Sequence, residues 1–208
     1  MVVIFDFDGT IANTFPLAVG IVNRLSESFG YEKISEDEIE KMRNMKIGDL
    51  RGFLKLSWMQ VPIFLMRMRQ ELFNQVSLLK PVFGVEDLIA ELDKKKVTLG
   101  MITSNREEVV SVFVEKYFAE KFSFIHTGTS IFGKHKVLSD VLTHYHLAKD
   151  EVVYVGDELR DIEAAKKVGV KVVSVTWGLQ ARELLEKARP DYIVEDVRNL
   201  RELLIKIC

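Results

Sequence analysis

Cysteine is nearly absent from this sequence. A single thiol in 208 residues, Cys208, leaves no disulfide framework and no thiolate zinc centre to build. A reducing, cytoplasmic compartment is the expectation that follows. No charge of one sign dominates either. With 29 basic and 31 acidic residues the net charge is −2, so no overall field draws the chain to nucleic acid or to a membrane surface. Apolar runs stop at strand length, far short of the ~20 residues of a membrane span. The first of them has no basic segment ahead of it and ends in aspartates, so it does not read as a signal peptide. His126, His135, His144 and His146 show no metal-ligand spacing with acids or cysteine. Internal repeats and low-complexity segments are missing as well. What remains is a hydrophobic fraction of 48% with 10% aromatics, enough for a packed core in one or two domains.

The chain is organised around its first fourteen residues, MVVIFDFDGTIANT. Met1 to Phe5 is apolar and rich in β-branched side chains, the pattern of a buried strand in a parallel sheet. Asp6 and Asp8 end it. On a regular strand they would point to the same face, and two buried, unneutralised carboxylates there would each cost several kcal/mol, by order of magnitude. The chain therefore has to leave the sheet, and Gly9 permits the tight turn. Two carboxylates at the carboxyl end of a strand are placed to meet a cation.

Residues 15–80 carry helical patterns only. Leu17, Ile21, Val22, Leu25 and Phe29 fall at helical spacing before Gly30, and Ser35 with Glu38 has the form of a capping box. Gly48 to Trp58 and Ile63 to Val76 read as two further helices. This stretch holds Met42, Met45, Met59, Met66 and Met68, most simply as core filler. It is also basic: Lys41, Arg43, Lys46, Arg51, Lys55, Arg67, Arg69 and Lys80 stand against Asp49 and Glu71 alone between positions 41 and 80. From Pro81 onward strands and helices alternate. The strands are predicted at 97–103, 122–126, 152–155, 170–176 and 192–194, and the last helix at 197–207. The expected fold class is α/β, a doubly wound parallel-sheet, Rossmann-like core of residues 1–14 and 81–208 with an inserted all-α cap of residues 15–80.

In such a core, ligands sit at the carboxyl ends of strands. Thr103, Ser104 and Asn105 follow the strand at 97–103 and offer a hydroxyl and free N–H groups to an anion, although the same residues make ordinary N-caps. Lys134, after Gly133, opens a helix, where the dipole disfavours a base. The next strand ends in Gly156-Asp157-Glu158-Leu159-Arg160-Asp161, with Asp161 one helical turn beyond Asp157. Four carboxylates would repel a phosphate ester unless a hard divalent cation intervened. Magnesium suits sparse carboxylate ligation, with Lys134 and Thr103 on the remaining phosphoryl oxygens.

Asp6-Phe7-Asp8-Gly9-Thr10, the Thr103-Ser104-Asn105 turn, Gly133-Lys134, and Gly156-Asp157 with Asp161 resemble, in order, the four motifs of the haloacid dehalogenase superfamily. The helical insert is similar to the C1 cap of its phosphoglycolate phosphatase and β-phosphoglucomutase branch. The resemblance implies a phosphatase of small phosphorylated metabolites, a monomer or homodimer. In it Asp6 is the nucleophile and Asp8 the general acid and base, with Thr103 and Lys134 on the phosphoryl group. Gly9, Ser104 and Asn105 line the phosphate. Asp6, the backbone carbonyl of Asp8, and Asp157 bind Mg2+, with Asp161 in support. Two departures stand out: Asn13-Thr14 replaces the family's usual acid and serine, and His135 replaces a proline after Lys134, leaving Lys136 as an alternative phosphate contact. A phosphomutase passing the phosphoryl group to a sugar hydroxyl is the sibling reading. A phosphoacceptor signalling module is the rival outside enzymes, though that class keeps its paired acids apart from the phosphorylated aspartate. The insert's basic residues read most simply as a solvated helix face, with Arg43, Lys46 and Arg51 the candidates for meeting an anionic substrate; Trp177-Gly178 lies at the same edge.

Overall fold

The alternation of apolar side chains decides the layering. The computed structural model describes residues 1–128 and 133–207; Cys208 lies outside them. Among the described residues six strands form one parallel sheet: β1 Val2–Phe5, β2 Thr98–Ile102, β3 Phe124–His126, β4 Val152–Gly156, β5 Lys171–Val175 and β6 Tyr192–Val194. Their spatial order is β3-β2-β1-β4-β5-β6. β1 is central and paired along both edges, Val3 opposite Leu99 and Val153, and helix side chains bury both of its faces. This is why it reads as an unbroken apolar run. Successive residues point to opposite faces. Val3 and Phe5 join one hydrophobic cluster and Val2 and Ile4 the other.

Helices cover both faces. The first cluster takes its side chains from α5 (Val85–Lys94), α6 (Glu107–Tyr117) and α10 (Val197–Ile207), the second from α7 (Lys134–His144), α8 (Leu159–Val168) and α9 (Arg182–Lys187). The fold is thus the expected α/β architecture. Its strand order reverses at β1, where a crevice opens at the carboxyl ends of β1, β2 and β4.

Between β1 and α5 the chain forms α1 (Phe15–Phe29), α2 (Glu36–Arg43), α3 (Leu50–Phe53) and α4 (Gln60–Asn74). These pack around a third cluster of their own, with Ile21, Leu25, Met42, Leu56 and Phe64 buried. Ser35 N donates to Glu38 Oε2 at 2.9 Å, closing the capping box that starts α2. Helix continuity through Gly48–Trp58 is not found. A 3-10 turn at Ile47–Asp49 and the single turn of α3 replace it, and Lys55 sits at φ 55°, past which no right-handed helix continues. The chain leaves and re-enters the sheet layer side by side. Asn13 N donates to Lys80 O at 2.9 Å and Val82 N to Ile11 O at 2.8 Å.

Phe113 on α6 anchors the first cluster beneath the site. Its ring meets Phe7 edge-on at 5.0 Å and packs against Tyr117 and Phe118. Phe113→Ala is expected to cost about 3–5 kcal/mol of stability. Urea unfolding would register this as a lower midpoint at unchanged m-value; a loss under 1 kcal/mol would mean that the cluster collapses around the gap.

Candidate active site

β1 hands its last ladder bond to an aspartate. Asp6 N donates to Val155 O at 2.8 Å, so Asp6 is still held as a strand residue, and Phe7 N donates back to Asp6 Oδ1 at 2.8 Å. The chain then turns. Phe7 O accepts from Ile11 N and Ala12 N, and Gly9 adopts φ 72°. Asp8 emerges on this turn, where Asn105 Nδ2 reaches both of its carboxylate oxygens at 3.1 Å.

Asp157, one residue beyond β4, is enclosed by backbone. A Cβ on Gly9 or on Gly178 would lie 2.2 Å from Asp157 Oδ2, so both positions require glycine for steric reasons, and Gly9, at φ 72°, for a conformational one as well. Thr10 Oγ1 donates to Asp157 Oδ1 at 2.9 Å and Leu179 N to Oδ2 at 2.7 Å. Asp161 closes the start of α8, its Oδ2 accepting from Glu158 N at 3.0 Å. Carboxylate oxygens of Asp6, Asp157 and Asp161 fall within 4.8 Å of one another, all buried. Lys134 Nζ enters this group from the first turn of α7, 2.6 Å from Asp6 Oδ2 and 2.5 Å from Asp161 Oδ1. Three buried carboxylates this close together, with one ammonium between two of them, are a donor set that fits a hard divalent cation.

Charge explains the rest. Asp6, Asp8, Asp157, Glu158 and Asp161 crowd together, while Lys134 and Arg160 are the bases that act on them. Burial, with the neighbouring Glu158 and Asp6 charges, holds the Asp157 carboxyl well above its usual range. Burial also raises Asp6, against the pull of Lys134. For Asp8, burial and then the Asp6 charge push the value up to about 6, and for Glu158 burial takes it to about 7 despite Arg160. Burial alone would lower Lys134; Asp161 and Asp6 overcome it and hold the ammonium well above its ordinary value.

Asp6, Asp8, Gly9, Thr103, Ser104, Asn105, Lys134, Asp157 and Asp161 all converge on this edge. Asp161, expected in support, lies within reach of Asp6 and Asp157 and pairs with Lys134, and the Asp8 side chain turns to Asn105. Lys136 is exposed on α7, and Lys134 alone of the two reaches the acids. The Ser104 hydroxyl accepts from Arg160 Nη1 at 3.2 Å, while Thr103 Oγ1 accepts from Asn105 N at 3.0 Å. Arg43 is not free to meet a substrate: its Nη2 donates to Thr176 O and Gly178 O at 2.8 and 3.1 Å. Arg51 is likewise engaged, bonded to Leu56 O and stacked 4.2 Å from the Trp58 ring. Leu179, Glu158 and Arg160 were given no role from the sequence, Thr10 entered only as part of the first motif, and Gly178 only as lying at this edge. Glu158 and Arg160 carried a signal, two charges inside a turn between two acids, but nothing local says that they are buried.

Comparison with known proteins agrees with this geometry. A family described as haloacid dehalogenase-like hydrolase matches residues 3–175. The chain is 33% identical over 206 residues to the phosphoglycolate phosphatase of Synechococcus elongatus, covering 99% of this chain and 97% of that one. It is 24% identical over 212 residues to the pyrophosphatase PpaX of Bacillus mycoides, with 99% and 97% covered. A haloacid dehalogenase-like family hydrolase from Streptococcus pneumoniae superposes with a TM-score of 0.76 at 19% identity over 98% of this chain and 97% of that one, a likeness of fold.

The raised carboxyls have a consequence for stability. Each binds a proton in the fold at pH values where the unfolded chain has lost it. The metal-free protein should therefore lose stability as pH rises from about 4.5 to about 7, the interval between the ordinary and folded values of Glu158, with Asp157 adding in the same direction. Asp157→Asn removes one such charge. In EDTA at pH 7.5 it should melt about 3–6 °C above the parent, with a smaller gain at pH 5, and magnesium should raise Tm for the parent only. Equal metal responses in thermal melts would overturn the assignment of Asp157 to the cation.

Proposed function

The chain belongs to the haloacid dehalogenase-like hydrolase family, and from that premise we propose that it is a magnesium-dependent phosphatase of small phosphomonoesters. The observation that carries this reading is the placement of Asp6: a buried carboxylate at the end of the central strand, its Oδ2 2.6 Å from Lys134 Nζ, beside Asp157 and Asp161. Asp6, Asp157 and the Asp8 carbonyl, with Asp161 nearby, would hold magnesium, which supplies charge neutralisation for the phosphoryl oxygens. Lys134, Thr103 and the N–H groups of the 103–105 loop orient those oxygens.

Asp6 attacks phosphorus through a carboxylate oxygen, forming an aspartyl-phosphate as the ester P–O bond breaks. Asp8, held by Asn105, donates its proton to the departing alkoxide. A value of about 6 keeps a minor fraction of it protonated near neutral pH and lets it lose that proton readily. Water then attacks the aspartyl-phosphate, Asp8 takes the water's proton, and the P–O bond to Asp6 breaks to release phosphate and restore both residues. Hydrolysis of a phosphoric anhydride such as pyrophosphate needs less help at the leaving oxygen than hydrolysis of an alkyl ester.

Residues 15–80 act as a cap over a catalytic core of residues 1–14 and 81–208. Two features support this division: the helices' own hydrophobic cluster, and the paired crossing strands at Ile11–Asn13 and Lys80–Val82. Arg43 and the Gln180 side chain, which donates to Met45 O at 3.2 Å, tie the cap to the loop that touches Asp157. Phosphoglycolate is the first substrate to test, on the strength of the Synechococcus relative. One cysteine in 208 residues supports a cytoplasmic site of action.

Turnover of phosphoglycolate and p-nitrophenyl phosphate, with magnesium and with EDTA, tests the reading directly. Asp6→Asn should reduce both rates to the no-enzyme level, because an amide does not attack phosphorus; surviving magnesium-dependent activity would remove Asp6 from the role of nucleophile. Asp8→Asn should lower kcat/KM on alkyl phosphates by ~10²–10⁴-fold and on p-nitrophenyl phosphate by much less, since kcat/KM reports only the steps up to the aspartyl-phosphate and nitrophenolate departs without a proton. Equal losses on the two esters would show that Asp8 is not the acid.

A further inference from the structure

Two charged side chains in the Asp157–Asp161 turn have no part in the steps above. Glu158 and Arg160 are both withdrawn from water, with side-chain exposures of 3% and 17%. Arg160 Nη2 donates to Glu158 Oε1 at 2.5 Å, and Nη1 reaches across the crevice to Ser104 Oγ at 3.2 Å. Ser104 belongs to the loop after β2, whose next residue, Asn105, grips both oxygens of Asp8 at 3.1 Å. Asn105 also bonds through its N–H to Thr103 Oγ1. A continuous path therefore runs from the turn bearing Asp157 and Asp161, through Arg160 and Ser104, to the carboxyl of Asp8.

Stability alone is a poor reason for this pair. A buried ion pair costs in lost hydration about what its attraction returns, and apolar side chains of similar volume often serve as well. Here the pair is also incompletely satisfied, since Glu158 Oε2 and Arg160 Nε lack hydrogen-bond partners among the described residues. What the guanidinium does supply is geometry: its two terminal nitrogens, fixed in one plane, meet acceptors on two different segments at once. An ammonium on a flexible stem has no such rigid fork.

We propose that Arg160 is a positioning residue for phosphoryl transfer, locking the Thr103–Asn105 loop to the Asp157–Asp161 turn through Ser104 so that Asn105 presents Asp8 to the leaving oxygen. Glu158 is the counterion that sets the plane of the guanidinium. The proposal rests on the phosphomonoester reading given above and deepens it, by adding a support for the general acid that no motif names.

The test is the ratio of kcat/KM for an alkyl phosphate to that for p-nitrophenyl phosphate, because only the alkyl ester depends on a well-aimed Asp8. Arg160→Lys and Ser104→Ala should each lower this ratio about tenfold, the scale of one lost charge-assisted hydrogen bond. The double variant should fall no further than the worse single one, since both changes break the same link. Thermal melts accompany each measurement. Where Arg160→Lys does not fold because Glu158 is left unpaired, the pair Glu158→Gln with Arg160→Gln replaces the charges with neutral amides and should show the same fall. Ser104→Ala removes one hydroxyl at a half-buried position and decides the matter whatever the arginine variants do. An unchanged ratio in Ser104→Ala, or independent, multiplying losses in the double variant, would overturn the proposal. If the parent protein hydrolyses neither ester, the phosphomonoester reading fails instead, and the two failures are distinct.

Discussion

The rest of the molecule answers to one constraint: several carboxylates must share a site from which water is largely excluded. Asp6, Asp157 and Asp161 are fully buried with oxygens within 4.8 Å of one another, and Asp8 and Glu158 lie just beyond. Left alone, such a group would protonate or push apart. Lys134 is the internal answer, an ammonium 2.6 and 2.5 Å from two of the acids and itself 2% exposed. It neutralises part of the charge, and a divalent cation with the phosphoryl group would complete the balance. A site built this way is most stable when loaded.

Holding the acids in place uses backbone more than side chains. Parallel strands end together at one edge of the sheet, so Asp6 and Asp157 are neighbours because β1 and β4 are paired in register, Phe5 opposite Val155. Glycines then let two further segments close on Asp157: the turn at Gly9 and the loop at Gly178, each near enough to exclude a Cβ. Leu179 N and Thr10 Oγ1 supply its hydrogen bonds. That loop is also where the helical insert rests on the sheet domain, through Arg43, Gln180 and a bond from Ala181 N to Arg43 O. The surface that receives the insert is thus the same segment that cradles Asp157.

Much of this was legible in the sequence, for physical reasons that can be named. A buried central strand has to be apolar throughout, so MVVIF announces β1. Acids directly after such a run have nowhere to go but the strand end, so Asp6 and Asp157 were found. Strand β6 and helix α10 were read to the residue, because the polar pair Glu195-Asp196 separates them. Gly48–Trp58 was misread because apolar residues at helical spacing do not reveal that the backbone turns left-handed at Lys55. The basic residues of the insert were misread for another reason. Local sequence shows that an arginine is present, but not whether a carbonyl across the molecule takes it, as Thr176 O takes Arg43.

By itself the sequence determined the fold class, the order of the elements and the acids that gather at one sheet edge, since these follow from local periodicity and from charges that only a strand end can tolerate. Only the tertiary structure decided partnership. Lys134 rather than Lys136 meets the acids because α7 begins where it does and its first residue faces the sheet edge. Asp161 rather than the Asp8 side chain completes the carboxylate trio because the turn before α8 folds it back beside Asp6. Arg160 is joined to a serine 56 positions away. Separations of that kind are set by strand pairing and helix packing across the whole chain, and no window of sequence contains them.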